Sequence, residues 1–211
     1  MGVDSEFKSS LDSAFSSATV IAVTGRMACG KNSFCRMLEE KGAVSVDADV
    51  LVHSAIKNLN DKIISTFEPY AAKKNLNIKN PDGSVNRREL GELLFSDKTL
   101  LAKQESLVYP EVTVLTKEFL QKHKDKLRII NATVLYKTPE LLKLCDFVIF
   151  VDAPFFKRFF RAKKRDGLKT SVILKRFKSQ KNLLLDYEKT GARIFIIKNY
   201  SSLADLQKKL N

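Results

Sequence analysis

Three small groups of residues have the types and spacing to do chemistry. The first lies in VTGRMACGKNSF, residues 23–34, where Gly25 and Gly30 bracket four residues and Lys31 follows at once. This is the frame G-x-x-x-x-G-K-[ST] of a phosphate-binding loop, with Asn32 where Ser or Thr belongs. In such a loop consecutive backbone N–H groups turn inward and, with the dipole of the helix that follows, cradle an anion. The two glycines allow backbone conformations and close approaches that a side chain would block. Lys31 brings a full positive charge to the β- and γ-phosphates of a nucleotide. The hydroxyl usual at position 32 ligates Mg²⁺, and an Asn carbonyl oxygen is also a permitted ligand. It is longer, however, and carries an NH₂ that must turn away, so the expectation is a weakened or water-mediated Mg²⁺ contact. Ser33 is no simple substitute, because one residue along a helix rotates it by about 100°. The loop alone leaves open whether the chain is a kinase with a changed metal ligand or a fold that has kept its ligands and lost its chemistry.

The second group is Asp47 and Asp49, two apart at the end of an apolar run. On an extended strand they would share a side, at the carboxyl end where ligands bind in open α/β sheets. One could accept a proton from an attacking hydroxyl, and the other could orient the acceptor or a metal's waters. Asp49 also precedes VLVHSAI, so a helix N-cap is a second role compatible with the first. The third group is Arg161 and Arg165. At i and i+4 on a helix they can reach one ligand together and stabilise charge on a transferred phosphoryl group. They belong to a stretch, Lys157 to Gln180, with ten Lys or Arg and one acid, Asp166. A lid over phosphates, a solvated surface and an RNA-binding face are the three readings of that stretch. Phe159, Phe160, Val172, Ile173 and Phe177 are expected to pack rather than to stack on bases.

The elements that must position these groups follow from the patterning. VIAVTG (20–25) reads as a buried parallel strand, KNSFCRMLEEKG (31–42) as an amphipathic helix stopped by Gly42, and AVSVDAD (43–49) as a second strand. Residues 50–75 and 87–125 read mostly helical, interrupted at Pro110, with a Pro-Asp-Gly turn in 80–86. RIINATV (128–134), FVIFVDA (147–153) and RIFIIKN (193–199) are three more strands. Residues 155–189 read helical, and 202–210 form a closing helix with Ser202 as its cap. Five strands separated by helices imply a doubly wound parallel sheet. Residues 1–18 read as a loosely ordered or short helical extension.

Bulk properties narrow the classes. Lys plus Arg is 37 against 24 Asp plus Glu, a net charge of +13, which points to polyanionic partners without choosing among nucleotides, nucleic acid and an acidic membrane surface. The three cysteines, Cys29, Cys35 and Cys145, have no metal-ligand spacing and fit reduced thiols in a cytosol-like compartment. Neither His53 nor His123 is near Cys29 in sequence, so a small packed residue is favoured over a nucleophile. No stretch approaches the ~20 apolar residues of a membrane span, and the Ser-rich, acid-containing start lacks the features of a secretory signal.

Taken in order, these residues resemble the dephospho-CoA kinases, P-loop enzymes that complete coenzyme A. IAVTGRMACGKNSF resembles that family's T-G-G-I-G-S-G-K-S-T loop, and EEKGAVSVDADVLVHSAI its segment ending in D-A-D. DGSVNRREL…LLFSDKTLLAKQESLVYPEV is similar to its D-G-x-L-x-R-x-x-L…L-x-H-P-x-V stretch. CDFVIFVDAP…RAKKRDGL…Q resembles its strand and arginine lid, and IFIIKNYSSLADL its closing I-x-N-x-G-S-L-x-x-L. The resemblance runs from about Val20 to the C-terminus. It implies a P-loop NTPase-like five-stranded parallel sheet flanked by helices, with residues 19–211 as the kinase domain, 50–125 as a helical CoA-binding part and 155–189 as a basic lid. The reaction implied is transfer of the ATP γ-phosphate to the ribose 3′-hydroxyl of dephospho-CoA, with Mg²⁺, in the cytoplasm. By matching positions, Gly25, Arg26, Met27, Ala28, Cys29, Gly30, Lys31, Asn32 and Ser33 hold ATP, and Asn199 falls where the family approaches its adenine. Asp49 falls on the base, Asp47 on acceptor binding, Arg87 in the acceptor part, and Arg161 and Arg165 on lid arginines.

Departures are plain. Arg26 and Ala28 replace family glycines, Asn32 the hydroxyl residue and Tyr109 a His. TVLYK (133–137) stands where the family has P-L-L-x-E, so Lys137 reverses a charge. A P-loop module that binds nucleotide or CoA without efficient turnover is therefore the alternative to an enzyme. A nucleic-acid binder lacks any recognised reading motif. Neither a nucleic-acid nor a membrane partner is expected, and the sequence is silent on oligomeric state.

Overall fold

The computed structural model describes residues 2–200 of the 211. The expected closing helix over 202–210, with Ser202, lies outside them. The chain divides into two compact units, one made by the stretches up to Asp47 and from Phe119 onward, the other by Ala48–Glu118.

The first unit holds a five-stranded parallel sheet. Its strands are β1 (Val20–Thr24), β2 (Val44–Asp47), β3 (Arg128–Asn131), β4 (Phe147–Asp152) and β5 (Ile194–Lys198), in the order β2-β3-β1-β4-β5. β1 is buried at all five positions, as a central strand covered on both faces must be. Helix α1 (Gly2–Ser17) buries Leu11 and Ala14 in the sheet's core, and Phe15 meets Phe147 edge-on at 5.4 Å. Asp146 Oδ2 accepts from the backbone N–H of Thr19 at 2.7 Å and of Val20 at 3.0 Å, anchoring the start of β1.

Helix α2 (Lys31–Glu39) follows β1 and buries Phe34, Cys35 and Leu38 on one face. Gly42, at φ +96°, ends that turn before β2. After β3 come a 3₁₀ turn (Leu135–Lys137) and a short helix, so β3 ends at Asn131 rather than running to residue 134. The basic stretch is helical, as expected: α8 (Phe155–Asp166), α9 (Thr170–Ser179) and α10 (Leu183–Glu188) follow α3 to α7, whose bounds are Ala48–Asn58, Asn60–Ala72, Arg87–Ser96, Lys98–Lys122 and Pro139–Leu142.

The second unit is helical, with its own core of Ile63, Phe67, Leu90, Leu93 and Val108 among others. One expectation is corrected here. Pro110 does not interrupt: α6 runs unbroken from Lys98 to Lys122 with Pro110 inside. Pro removes one N–H from the ladder, and buried Val108 and Val112 on either side keep the helix packed through the lost bond. The 80–86 turn is present, with Gly83 at φ +84° and a Lys79–Val85 bridge closing it. Asn86 caps α5, accepting from Glu89 N–H at 3.3 Å.

Candidate active site

The loop between β1 and α2 is shaped by its two glycines. Gly25 sits at φ +144°, and a Cβ there would lie 2.2 Å from Val151 O and 2.7 Å from Cys29 Sγ. Gly30 sits at φ +107°, and its Cβ would meet Asn199 Nδ2 at 2.3 Å. No other residue type fits either place. Ala28, where a family glycine is replaced, is also left-handed at φ +60°, so here a side chain accepts the glycine conformation.

Side chains hold this loop from behind. Asn199, 2% exposed, donates from Nδ2 to Cys29 O at 2.8 Å, and Arg161 Nη1 donates to the same oxygen at 3.4 Å. Gln180 Oε1 accepts from Met27 N–H at 2.6 Å. Arg26 pairs with Asp152 at 3.2 Å and donates to the carbonyls of Gln180 and Lys181. Its position, which glycine fills in the resembling family, thus serves as a strut between β4 and the helices of the basic stretch. Lys31 Nζ donates to Gly25 O at 3.1 Å across the loop. Cys29 is buried, and burial pushes its thiol up, which suits a packed residue and not a nucleophile.

A cavity of about 590 Å³ opens on the outer side of the loop. It is lined by Ala28, Cys29, Gly30, Lys31, Asn32, Ser33 and Arg36 from loop and α2, and by Arg161, Lys164 and Arg165 from α8. The structure therefore brings together the loop and both lid arginines. Arg165 also forms a two-point hydrogen bond to Asp166, at 2.6 and 2.9 Å, and that contact holds the Asp166 carboxyl below its usual range. Arg36 and Lys164 were not singled out in the sequence. Arg36 is one turn past Lys31–Ser33 on a helix beginning in the loop, a spacing that could have marked it.

Asp47 and Asn32 are joined by a residue that sequence reasoning passed over. Asn131 ends β3, in register with Val23 of β1 and Asp47 of β2. Its buried Nδ2 donates to Asn32 Oδ1 at 3.1 Å and to Asp47 Oδ2 at 3.4 Å. A polar residue at the carboxyl end of a central strand was the available signal.

The expected geometry of the Asp pair does not hold. β2 ends at Asp47, and α3 begins at Ala48, so Asp49 sits in the first turn of a helix, not on an extended strand beside Asp47. A carboxylate in the first turn is favoured by the positive end of the helix. Asp49 and Arg87 both belong to the helical unit, Arg87 as the exposed first residue of α5. Of the apolar lid residues, Ile173 and Phe177 are buried as expected, but Phe160 and Val172 are exposed.

Comparison with known proteins adds an independent line. The family model of dephospho-CoA kinase matches residues 19–205. The dephospho-CoA kinase of Treponema pallidum is 34% identical over 195 residues, covering 91% of this chain and 92% of its own. That of Treponema denticola is 33% identical over 208 residues, with 96% and 92% covered. A solved Thermus thermophilus structure superposes with a TM-score of 0.75 at 26% identity, over 90% of this chain and 93% of that one. The dephospho-CoA kinase of Campylobacter jejuni shares the fold, with a TM-score of 0.60 at 24% identity and the same coverage.

Proposed function

The chain belongs to the dephospho-CoA kinase family, and from that premise we propose that it transfers the γ-phosphoryl group of ATP to the ribose 3′-hydroxyl of dephospho-CoA, giving coenzyme A and ADP. The observation that carries this reading is the single cavity that joins Lys31 and the loop amides to Arg161 and Arg165. Phosphoryl transfer needs positioning and charge stabilisation more than covalent participation by the protein. The loop backbone and Lys31 take the β- and γ-phosphate oxygens. Arg161 and Arg165 meet the charge that spreads over the moving phosphoryl group. Asp49 accepts the proton of the attacking 3′-hydroxyl, Asp47 orients the acceptor, and Arg87 contributes a cation to acceptor binding. Asn199 sets the floor on which the nucleotide lies, through its bond to Cys29 O.

Mg²⁺ fits the donor set. Asn32 Oδ1 and the Asp47 carboxylate are both hydrogen-bonded to one NH₂, that of Asn131. A neutral amide oxygen and a carboxylate oxygen are hard ligands. Mg²⁺ commonly keeps several waters and is held by one or two protein oxygens plus substrate phosphates. Asn32 and Asp47 are the residues that would hold it, and it would neutralise charge on the phosphates. No helix among the described residues is long and apolar enough to cross a membrane, and the cytoplasm is the compartment this reading assigns.

The test is ADP release from ATP and Mg²⁺ with and without dephospho-CoA. Turnover that depends on dephospho-CoA and falls by about 10³-fold or more in Lys31→Ala is expected, the scale of a lost charge-stabilising group. ADP release indifferent to dephospho-CoA, or unchanged in that variant, would refute the assignment.

A further inference from the structure

Helix α8 has two working sides. Arg161 and Arg165 line the loop cavity, and Arg158 and Ala162 are buried. Away from these, Phe156 and Phe160 are 72% and 66% exposed. Four residues apart on a helix, they form one stripe; exposed Lys163 continues it, and exposed Lys157, whose Nζ donates to Tyr200 O, stands to one side.

The two rings are held outward by a ladder of phenyl groups. Phe156 meets Phe155 edge-on at 5.6 Å, and Phe160 meets Phe159 edge-on at 5.7 Å. Phe155 and Phe159 stack at 6.3 Å, and Phe155 in turn packs edge-on against buried Phe177 at 5.4 Å. Phe155, itself 44% exposed, and half-buried Phe159 divide their surface between packing and solvent, while the outer two present most of theirs to solvent.

A face that only keeps the protein dissolved has use for lysines and none for two adjacent exposed phenyl rings. Lysine beside exposed phenylalanine, on a helix whose opposite side is packed, is the pattern of a helix lying in a lipid headgroup region. The net charge of +13 adds long-range attraction to an acidic surface. We propose that the outward face of α8 docks peripherally on an anionic lipid surface, with Phe156 and Phe160 entering the headgroup–acyl boundary and Lys157 and Lys163 meeting headgroup phosphates. Such docking needs no apolar span. Bases of single-stranded RNA could also stack on the two rings. The rings stand on a convex helix stripe rather than along a groove that tracks a strand, which favours lipid.

The chain contains no Trp, so Phe160→Trp makes a single fluorescent reporter on the proposed face. Its emission is expected to shift to the blue with vesicles one-third anionic lipid in about 0.1 M salt, and to stay unchanged with purely zwitterionic vesicles. By sedimentation with the same anionic vesicles, the full chain is expected to bind, and Phe156→Ser/Phe160→Ser to bind about tenfold or more weakly with its dephospho-CoA-dependent turnover intact. Equal binding to both vesicle types, or undiminished binding in the double-Ser variant, would overturn the assignment of this face. So would tighter binding to single-stranded RNA than to anionic vesicles at the same salt, lost in the same variant. None of these binding readouts depends on whether the chain turns over substrate.

Discussion

Asn131 Nδ2 lies 3.1 Å from Asn32 Oδ1, a bond between the end of a central strand and the second residue of the helix that leaves the phosphate loop. Because the same nitrogen also reaches Asp47 Oδ2, it sets where the Asn32 carbonyl and the Asp47 carboxylate stand relative to each other. One lone pair of Asn32 Oδ1 is engaged and one remains for a cation.

Asn131→Ala should therefore raise the Mg²⁺ concentration needed for half-maximal turnover and lower kcat/KM for ATP. Loss of hydrogen bonds to a buried polar group costs about 1–3 kcal/mol, or roughly 5- to 150-fold. Steady-state kinetics at several Mg²⁺ concentrations check this, and an unchanged Mg²⁺ dependence would detach Asn131 from the metal.

Asn32→Ser restores the hydroxyl usual at this place but loses the acceptor for Asn131. Turnover in the wild type, with a less than about tenfold gain in the Ser variant, is the expected result if an amide oxygen serves as ligand. The comparison is one of ADP release rates side by side. Silence in the wild type with activity in the variant would instead support a chain that binds without turnover.

Asp49→Asn should leave ATP affinity near normal and slow transfer by about 10²-fold or more, as for a lost general base. Single-turnover measurements separate the two quantities. A rate that did not change would leave Asp49 with only its place in the first turn of α3.

The loop glycines and Ala28 make opposite forecasts. Gly30→Ala puts a methyl 2.3 Å from Asn199 Nδ2 at φ +107° and should cost about 1–3 kcal/mol. Ala28→Gly removes the side chain from a left-handed site. The relief of about 1–2 kcal/mol is partly offset by the greater freedom of glycine in the unfolded chain, leaving a change of about 1 kcal/mol or less, neutral or stabilising. Urea unfolding midpoints measure both.

The thiols should be silent in the native protein. Burial pushes Cys35 and Cys145 up to about 12 from an ordinary 9.0, and raises Cys29 as well. A thiol-titrating disulfide reagent at pH 8 should find none of the three until denaturant is added. The sign for stability follows: the folded state favours the neutral thiols. Their contribution is complete below pH 9 and is lost as pH rises from 9.0 toward about 12. A melting temperature that fell between pH 7 and 8.5 would have another cause.

Much of the molecule is local and was legible in the residues. The interior strands β1 and β4 announce themselves as apolar runs because both of their faces are covered, and the loop because only glycine tolerates the approaches at Gly25 and Gly30. Residues 155–189 are helical as their patterning suggests, in three pieces broken at 167–169 and 180–182. What the sequence could not contain were relations between segments far apart in the chain. Asn131 meets Asn32 across 99 residues, Gln180 meets Met27 across 153, and Asn199 meets Cys29 across 170. The first and third pairs exist because parallel strands bring their carboxyl ends to one edge of the sheet, and the second because the end of α9 packs against the loop. The boundary at Asp47 was misjudged for a related reason: a period of two cannot be told from the first turn of a helix over two residues. Likewise the pattern of α8 says that Phe156 and Phe160 share a stripe, but only the packing of Arg158, Ala162 and Phe177 decides that the stripe faces water.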